Sequence, residues 1–277
     1  MNRKYQELCQ ILTSSLQSVY NSEKIINLAN FIYKSEYFKN LISNDLVSLE
    51  SELLLIVQDL KSGRPIQYAL GESYFMNLIL YVDERVLIPR PETEELVHRC
   101  LADNKLMDSA KILEVGTGSG AIAIQMYKSR ANWIITALDN SMEALEVAEM
   151  NALRYQSKIN FRQIDFLNCS HIDSSKFDII ISNPPYISSI ELGLLSKEVI
   201  DFEPHSALFA EGRDPDIFYK KIAEFGHNNL SSKGVVYCEL NEFRAKEIFE
   251  IFRNQHYGII EIHKDLQGKD RILKASF

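Results

Sequence analysis

Apolar residues recur at steps of three and four positions through the first 72 residues of the chain. This spacing is typical of helices with one buried face. Gly63 and Pro65 interrupt the pattern and predict the end of the last helix there. Residues 1–72 are therefore expected to form an all-helical domain. The stripes are Leu8, Ile11, Leu12, Leu16 and Val19, then Ile25, Leu28, Ala29, Ile32 and Tyr33, then Leu49, Leu53, Ile56, Val57 and Leu60.

The pattern becomes strand-like between residues 74 and 88. Pro89-Arg90-Pro91 follows, and two prolines that flank one residue favour a stiff, extended backbone. A helix is expected to begin near Thr93, whose hydroxyl can cap it. We interpret residues 73–92 as a β-hairpin-like linker and residues 93–277 as a second domain.

Short apolar runs alternate with helical patterns from residue 110 onward. This alternation predicts a doubly wound α/β sheet. About seven residues separate the last two strands, too few for a parallel crossover, so these strands are predicted to pair antiparallel. The predicted strands are 111–115, 133–139, 159–165, 177–182, 235–240, 258–263 and 271–277, and the predicted helices are 121–128, 142–155, 217–230 and 243–254.

A glycine loop, Gly116-Thr117-Gly118-Ser119-Gly120, lies between the first of these strands and the next helix. Glycines there let a ligand approach the backbone at the carboxyl end of the sheet. Asp139 ends the next predicted strand, where a carboxylate can bind ribose hydroxyls. Asp165 and Phe166 end the third, where they can contact an adenine. These residues predict an adenosine site, although a dinucleotide enzyme stays open. No Gly-Lys-Ser/Thr follows the loop, which disfavours a phosphate P-loop.

Asn183-Pro184-Pro185-Tyr186 directly follows the fourth predicted strand. Pro184 restricts Asn183 to an extended conformation, and neither proline has a backbone N–H to donate. The Asn183 Oδ1 atom and the Pro184 carbonyl can therefore accept both hydrogens of a planar –NH2 group, against which the Tyr186 ring can pack. Orientation of reacting groups can lower a barrier by ~7–11 kcal/mol. The tetrapeptide thus predicts methylation of an amide-type nitrogen, of adenine or of glutamine.

Composition narrows the class of protein. The chain has 277 residues, 46% of them hydrophobic and 25% charged, which is ordinary for a globular protein. Its net charge of −8 disfavours bare nucleic acid as a partner. The four cysteines are scattered and the histidines lack ligand spacing, so no metal site is expected. Neither a signal peptide nor a run of ~20 apolar residues is present, so we expect a cytoplasmic protein without a membrane partner.

The Glu114–Gly120 loop and the tetrapeptide together resemble class I methyltransferases that act on planar nitrogens. Adenine methyltransferases of DNA and glutamine methyltransferases of proteins share them. The stretches Gly63–Tyr68, Leu87–Glu94 and Phe202–Pro204 look like the release-factor glutamine methyltransferases, the PrmC/HemK family. A sister group that modifies a ribosomal protein typically has a serine where this chain has Pro91, which favours the release-factor branch.

This resemblance implies a Rossmann-like methyltransferase that uses S-adenosylmethionine on the glutamine of the Gly-Gly-Gln loop of peptide chain release factors. It also implies that the helical front domain grips the release factor, and we expect a monomer. Methylation of a ribosomal protein, adenine methylation of DNA and a cofactor-binding interaction protein without chemistry are the alternatives. The implied cofactor contacts are Gly116, Thr117, Gly118, Ser119, Gly120, Asp139, Phe166 and Asn183, the implied catalytic residues are Asn183, Pro184 and Tyr186, and the implied glutamine pocket is Asn183, Pro184, Pro185 and Tyr186.

Overall fold

The computed structural model of the chain describes residues 3–42, 49–172, 176–210 and 214–277. It divides into two compact units, one formed by Met1–Glu72 with Ser196–Phe202 and the other by the rest of the chain. The segment Ser196–Phe202 clusters with the first unit, where Glu198 accepts a hydrogen bond of 3.0 Å from the Lys24 ammonium. Local patterns do not reveal such a long-range association.

The helices and strands are as follows. The described α-helices are α1 (Arg3–Leu16), α2 (Ser22–Lys34), α3 (Glu36–Ile42), α4 (Leu49–Ser62), α5 (Ile66–Leu70), α6 (Pro91–Asp103), α7 (Ala121–Ser129), α8 (Met142–Arg154), α9 (Lys197–Phe202), α10 (His205–Leu208), α11 (Ile217–Asn229) and α12 (Ala245–Asn254). The described strands are β1 (Ser73–Phe75), β2 (Leu78–Leu80), β3 (Lys111–Val115), β4 (Ile134–Asp139), β5 (Ile159–Gln163), β6 (Phe177–Ser182), β7 (Leu230–Glu239), β8 (Ile259–Lys264) and β9 (Asp270–Ser276).

The first unit is helical, as the three stripes predicted. Leu8, Leu12, Leu28, Ile32 and Leu53 are among the buried side chains that α1, α2 and α4 contribute to one core. Helix α4 ends at Ser62, before the predicted interruption. The short helices α3 and α5 were not predicted, because neither is long enough to show a helical repeat.

The second unit is built on a seven-stranded sheet of order β5-β4-β3-β6-β7-β9-β8 within the described residues. Strands β3 to β7 run parallel, whereas β9 is antiparallel to both β7 and β8. The prediction of a doubly wound sheet with an antiparallel last strand is therefore confirmed. The neighbours β3 and β6 lead to opposite halves of the sheet, and ligands bind at such switch points.

Both faces of the sheet are covered, because successive side chains of a strand point to opposite sides. Ile112 of β3 belongs to a core cluster with Val97 of α6 and Ala123 of α7. Its neighbour Leu113 belongs to a second cluster with Ile222 of α11 and further side chains of α12. The central strands are thus held from both sides, which fixes the positions of the loops that follow them.

The segment 73–92, interpreted as a linker, contains the antiparallel hairpin of β1 and β2. Phe75, Leu78 and Leu80 are buried in the same cluster as α6 and α7, so this segment belongs to the core of the second unit. Helix α6 begins at Pro91, with Arg90 as the residue before it. The expected capping role of Thr93 is therefore wrong, since Thr93 lies inside the first turn.

Candidate active site

A cleft that is partly open to solvent lies at the carboxyl ends of β3, β4 and β6. The strand register explains why these ends meet, because Val115 pairs with both Leu138 and Ser182. The Ser182 hydroxyl also donates to the Val115 carbonyl at 2.8 Å. The segments that follow these strands supply the wall of the cleft, which includes Gly116, Gly118, Asp139, Phe166, Asn183, Pro184 and Pro185.

The three glycines of the loop have positive φ angles of 75°, 52° and 81° at Gly116, Gly118 and Gly120. A Cβ added to Gly118 would meet nothing within 4 Å, whereas one on Gly120 would lie 3.2 Å from the Ala148 Cβ atom. Gly118 therefore leaves space in the cleft, and Gly120 allows α7 to pack closely on α8.

Thr117 and Ser119 are buried and are not among the described residues that line the cleft. The Thr117 hydroxyl donates to Oε2 of Glu114 at 2.9 Å, and the Ser119 carbonyl accepts from Nδ2 of Asn151 at 2.9 Å. Their position indicates that they stabilise the loop on the side that faces away from the cleft. Direct contact of either residue with a cofactor stays a prediction.

Glu114 is buried beneath this loop, and its Oε1 atom has no hydrogen-bond partner among the described residues. Burial raises the pKa of this carboxyl to about 8, and the nearby Asp139 acts in the same direction. The hydrogen bond from Thr117 favours the ionised form but does not outweigh burial. Glu114 is therefore largely protonated near neutral pH.

Asp139 lies at the end of β4 and lines the cleft. Its Oδ2 atom accepts from the Gly118 N–H at 2.9 Å, and its Oδ1 atom accepts from the Ser141 N–H at 3.1 Å. Burial raises the pKa of the carboxyl, and these backbone donors oppose the rise. Each oxygen keeps a further lone pair, so the ionised carboxylate can accept from ligand hydroxyls.

Asp165 does not end a strand, contrary to the sequence-based prediction, because β5 ends at Gln163. Instead Asp165 precedes a 3₁₀ helix, Phe166–Asn168, and its Oδ1 atom accepts from the Leu167 N–H at 3.1 Å. Phe166 is buried and its ring lies 5.2 Å from that of Phe225. Both Asp165 and Phe166 still line the cleft, so a flat apolar surface and a carboxylate meet there.

Asn183 follows β6 and lines the cleft together with Pro184 and Pro185. Its Nδ2 atom donates to the Thr93 hydroxyl oxygen at 3.0 Å. The Oδ1 atom is therefore the polar atom of this side chain that is left to accept a hydrogen bond from a ligand. Tyr186 is not among the described lining residues, and its hydroxyl donates to Oε1 of Glu239 at 3.0 Å. Packing of Tyr186 on a substrate stays a prediction.

Sequence reasoning missed several residues of the site. Arg85 lines the cleft and pairs with Asp83 at 2.8 Å, although the segment was interpreted only as a linker. Glu203, with its side chain 1% exposed, accepts from Arg90 at 2.6 Å. Its neighbour Pro204 lines the cleft. The stretch around Glu203 was noticed for its resemblance alone, since its ion pair joins positions far apart in sequence.

Within residues 3–42, 49–172, 176–210 and 214–277, no group of three or more His, Cys, Asp or Glu side chains is arranged to hold a metal ion. None of the helices in those ranges has the length and apolarity required to cross a membrane.

Comparison with known proteins adds independent findings. Residues 93–205 match the model of the methyltransferase small domain. The catalytic domain of hMettl16 in complex with a MAT2A 3′UTR hairpin has a similar fold, with a TM-score of 0.59 at 15% identity over 79% of this chain and 82% of that one. A methyltransferase from Pyrococcus furiosus gives a TM-score of 0.52 at 21% identity over 72% of this chain and 89% of that one. These structures support the fold.

Two full-length relatives carry the same description, release factor glutamine methyltransferase. The one from Flavobacterium psychrophilum is 38% identical over 275 residues, 95% of each chain. The one from Lactococcus lactis is 40% identical over 271 residues, 97% of this chain and 98% of its own. Identity at this level extends beyond the methyltransferase small domain to the helical front of the molecule. The chain therefore belongs to the release factor glutamine methyltransferase family.

Proposed function

We propose that this enzyme transfers a methyl group from S-adenosylmethionine to the side-chain amide nitrogen of a glutamine in a peptide chain release factor. The observation that carries the proposal is the orientation of Asn183 in the cleft. Its Nδ2 atom is engaged by Thr93, and two prolines without N–H groups follow it. The site therefore offers acceptors, which is what an –NH2 group requires.

The residues of the cleft suit S-adenosylmethionine, which supplies an electrophilic methyl group when bound. Gly118 leaves open space where a Cβ would project. The Asp139 carboxylate can accept from hydroxyls, and Phe166, Leu138 and Ala144 provide apolar surface. A carboxylate beside a flat apolar wall matches the ribose and adenine of a nucleoside. The residues that line the cleft therefore fit S-adenosylmethionine.

The protein groups orient the amide rather than deprotonate it beforehand. Asn183 Oδ1 accepts one hydrogen of the substrate –NH2 group, and the Pro184 carbonyl accepts the other. Positive charge that develops on nitrogen is stabilised by both acceptors. Bound S-adenosylmethionine would supply the methyl group by a displacement in which the nitrogen–carbon bond forms as the sulfur–carbon bond breaks, and one N–H proton would then leave to water. No strong base is required, because the methylated nitrogen is acidic before that proton is lost.

The target within the release factor is proposed to be the glutamine of its Gly-Gly-Gln loop. The test is incubation of the enzyme with labelled S-adenosylmethionine and either an intact release factor or one in which that glutamine is replaced. Label is expected on the intact factor only. Label on the replaced factor, on DNA or on ribosomal protein instead would refute the proposal.

Asn183→Ala is expected to lower the rate by ~10²–10³, by analogy with the loss of one oriented transition-state donor. Asn228→Ala is the matched control, since Asn228 is exposed on α11 and donates to the Glu224 carbonyl. The control is expected to retain the wild-type rate. Full activity of Asn183→Ala would mean that another group holds the amide.

We also propose that the unit containing α1 to α5 contacts the release factor. Leu54 and Leu55 of α4 are 54% and 70% exposed, and apolar side chains at such positions are available to a partner. Replacing both with Glu is expected to raise KM for the intact factor while KM for a short Gly-Gly-Gln peptide stays constant. Leu106→Glu, at a position that is 87% exposed in the other unit, is the control and should change neither. An unchanged KM for the intact factor in the double variant would refute this role.

A further inference from the structure

Three hydrogen bonds connect the tetrapeptide to Thr93 and Glu239. Asn183 Nδ2 donates to Thr93 Oγ1 at 3.0 Å, and Thr93 Oγ1 donates to Glu239 Oε2 at 2.6 Å. The second carboxylate oxygen, Oε1, accepts from the Tyr186 hydroxyl at 3.0 Å. Thr93 and Glu239 are 5% and 1% exposed, so the hydrogen bond between them is shielded from water. These hydrogen bonds join α6, the end of β7 and the segment after β6.

The direction of each of these hydrogen bonds is fixed by which group can donate and which can accept. An ionised carboxylate only accepts hydrogen bonds, and a hydroxyl has one hydrogen to donate. Since the Thr93 hydrogen is directed to Glu239, Thr93 Oγ1 faces Asn183 with lone pairs. Only the –NH2 end of the Asn183 amide can satisfy those lone pairs. If the amide turned over, Oδ1 would face the Thr93 oxygen and lose a buried hydrogen bond.

We propose that Thr93 and Glu239 are positioning residues that hold the Asn183 side chain with Oδ1 directed to the substrate nitrogen. This inference rests on the proposed function, because it assumes that the substrate presents an –NH2 group. A reversed Asn183 would direct its own –NH2 group at that of the substrate. Two donors would then face each other, and the amide would lose one of the acceptors that orient it.

Several charged and polar groups surround the Glu239 carboxyl. Burial raises its pKa, while the Thr93 and Tyr186 hydroxyls and the charge of Arg271 favour the ionised form, and Glu92 opposes it. Burial also raises the pKa of Tyr186 well above its ordinary value, so this hydroxyl keeps its proton and remains a donor. With donors on both oxygens, the carboxylate is held as an acceptor toward Thr93.

The first test compares two substitutions of Thr93. Thr93→Val keeps the shape of the side chain but removes the hydroxyl, so kcat is expected to fall roughly 10- to 100-fold, as misplacement of a reacting group by about 1 Å can cost ~10². Thr93→Ser removes a buried methyl group but keeps the hydroxyl, so it is expected to retain kcat. The Kd for S-adenosylmethionine, measured by calorimetry, is expected to change much less than kcat in both, because Gly118 and Asp139 are unchanged and Asn183 is only one of the groups that line the cleft.

The second test uses Tyr186 and Tyr219, whose hydroxyls both donate hydrogen bonds to Glu239. Tyr186→Phe removes the donor to the carboxylate and is expected to lower kcat, though less than Thr93→Val. Tyr219→Phe removes a bond of 2.9 Å to the Glu239 backbone carbonyl and should lower only Tm. This pair separates loss of a buried hydroxyl in general from loss of the one that anchors the carboxylate.

The outcomes distinguish this inference from the proposed function. A wild-type enzyme that does not label the release factor would overturn the proposed function. With an active wild type, normal kcat in Thr93→Val would overturn the positioning role. So would a Thr93→Ser variant as slow as Thr93→Val, or equal falls of kcat in Tyr186→Phe and Tyr219→Phe, since each would attribute the effect to packing.

Discussion

Substitution of Gly120 by alanine should destabilise the protein without a direct effect on the cleft. Gly120 has a φ of 81°, where an alanine costs about 1–2 kcal/mol. Its new Cβ would lie 3.1 Å from Ile124 Cδ1, 3.2 Å from Ala148 Cβ and 3.3 Å from Ala148 Cα. Contacts this short require α8 to shift, and overpacking of a core typically costs about 1–3 kcal/mol. The two contributions together give about 2–5 kcal/mol.

Gly118→Ala is the matched control, because the same substitution two residues away meets a different environment. Gly118 has a φ of 52°, so backbone strain of about 1–2 kcal/mol is again expected. Nothing lies within 4 Å of the added Cβ, so no packing penalty applies. The Cβ projects where a ligand would lie, and a clash of about 1–3 kcal/mol would weaken binding of S-adenosylmethionine by roughly 5- to 150-fold.

Urea denaturation of both variants measures the free energy of unfolding, and titration calorimetry with S-adenosylmethionine measures the Kd. Gly120→Ala is expected to be the less stable variant by about 1–3 kcal/mol, which is the packing contribution alone. Gly118→Ala is expected to be the weaker binder. Equal stability of the two variants, or a normal Kd in Gly118→Ala, would refute the assignment of one glycine to packing and the other to the cleft.

Three further substitutions test individual side chains. The pKa of Glu114 is raised from 4.5 to about 8 on folding, so its protonated form stabilises the fold. The free energy of unfolding therefore falls as pH rises between those two values, by at most ~1.4 kcal/mol per pH unit. Glu114→Gln should flatten that slope in urea denaturation, and an unchanged slope would contradict the shift. Arg90→Ala should cost about 1–3 kcal/mol by leaving the buried Glu203 carboxylate without its ion pair, whereas wild-type stability would show that the pair contributes nothing. Asp139→Asn should weaken binding of S-adenosylmethionine about 10- to 100-fold, because Gly118 and Ser141 donate to different carboxylate oxygens and the –NH2 group of the amide would replace one of these acceptors. An unchanged Kd by calorimetry would contradict that role.

Much of the fold could be predicted from periodicity alone. The run Phe177–Ser182 was located to the residue, because a strand covered on both faces is continuously apolar. The edge strand β5 was less clear, since its residues are only partly buried. Its end was misplaced by two residues, because hydrogen bonds of Asp165 to Leu167 and Asn168 begin a 3₁₀ turn. Such local competition between side chain and backbone leaves no periodic signal.

The candidate site, like the fold, could be predicted only in part from the sequence. Gly118, Asp139 and Asn183 were found because each lies at or just after the end of a strand, and parallel strands bring their carboxyl ends together. Thr93 was interpreted as a helix cap, since a hydroxyl before an apolar run usually has that role. Its actual partner, Glu239, lies 146 residues away in sequence. Side-chain contacts at such separations depend on the tertiary fold, and no spacing rule anticipates them.

The position of β9 has a consequence for synthesis of the protein. This strand lies between β7 and β8, although it follows both of them in sequence. While the chain grows from its amino end, β7 has an open edge and β8 has no neighbour until Asp270–Ser276 leaves the ribosome. Exposed strand edges promote aggregation of nascent chains. The sheet is therefore completed late in synthesis, when β9 pairs with β7 and Glu239 comes to lie opposite Ile272. Truncation before residue 270 would prevent this pairing.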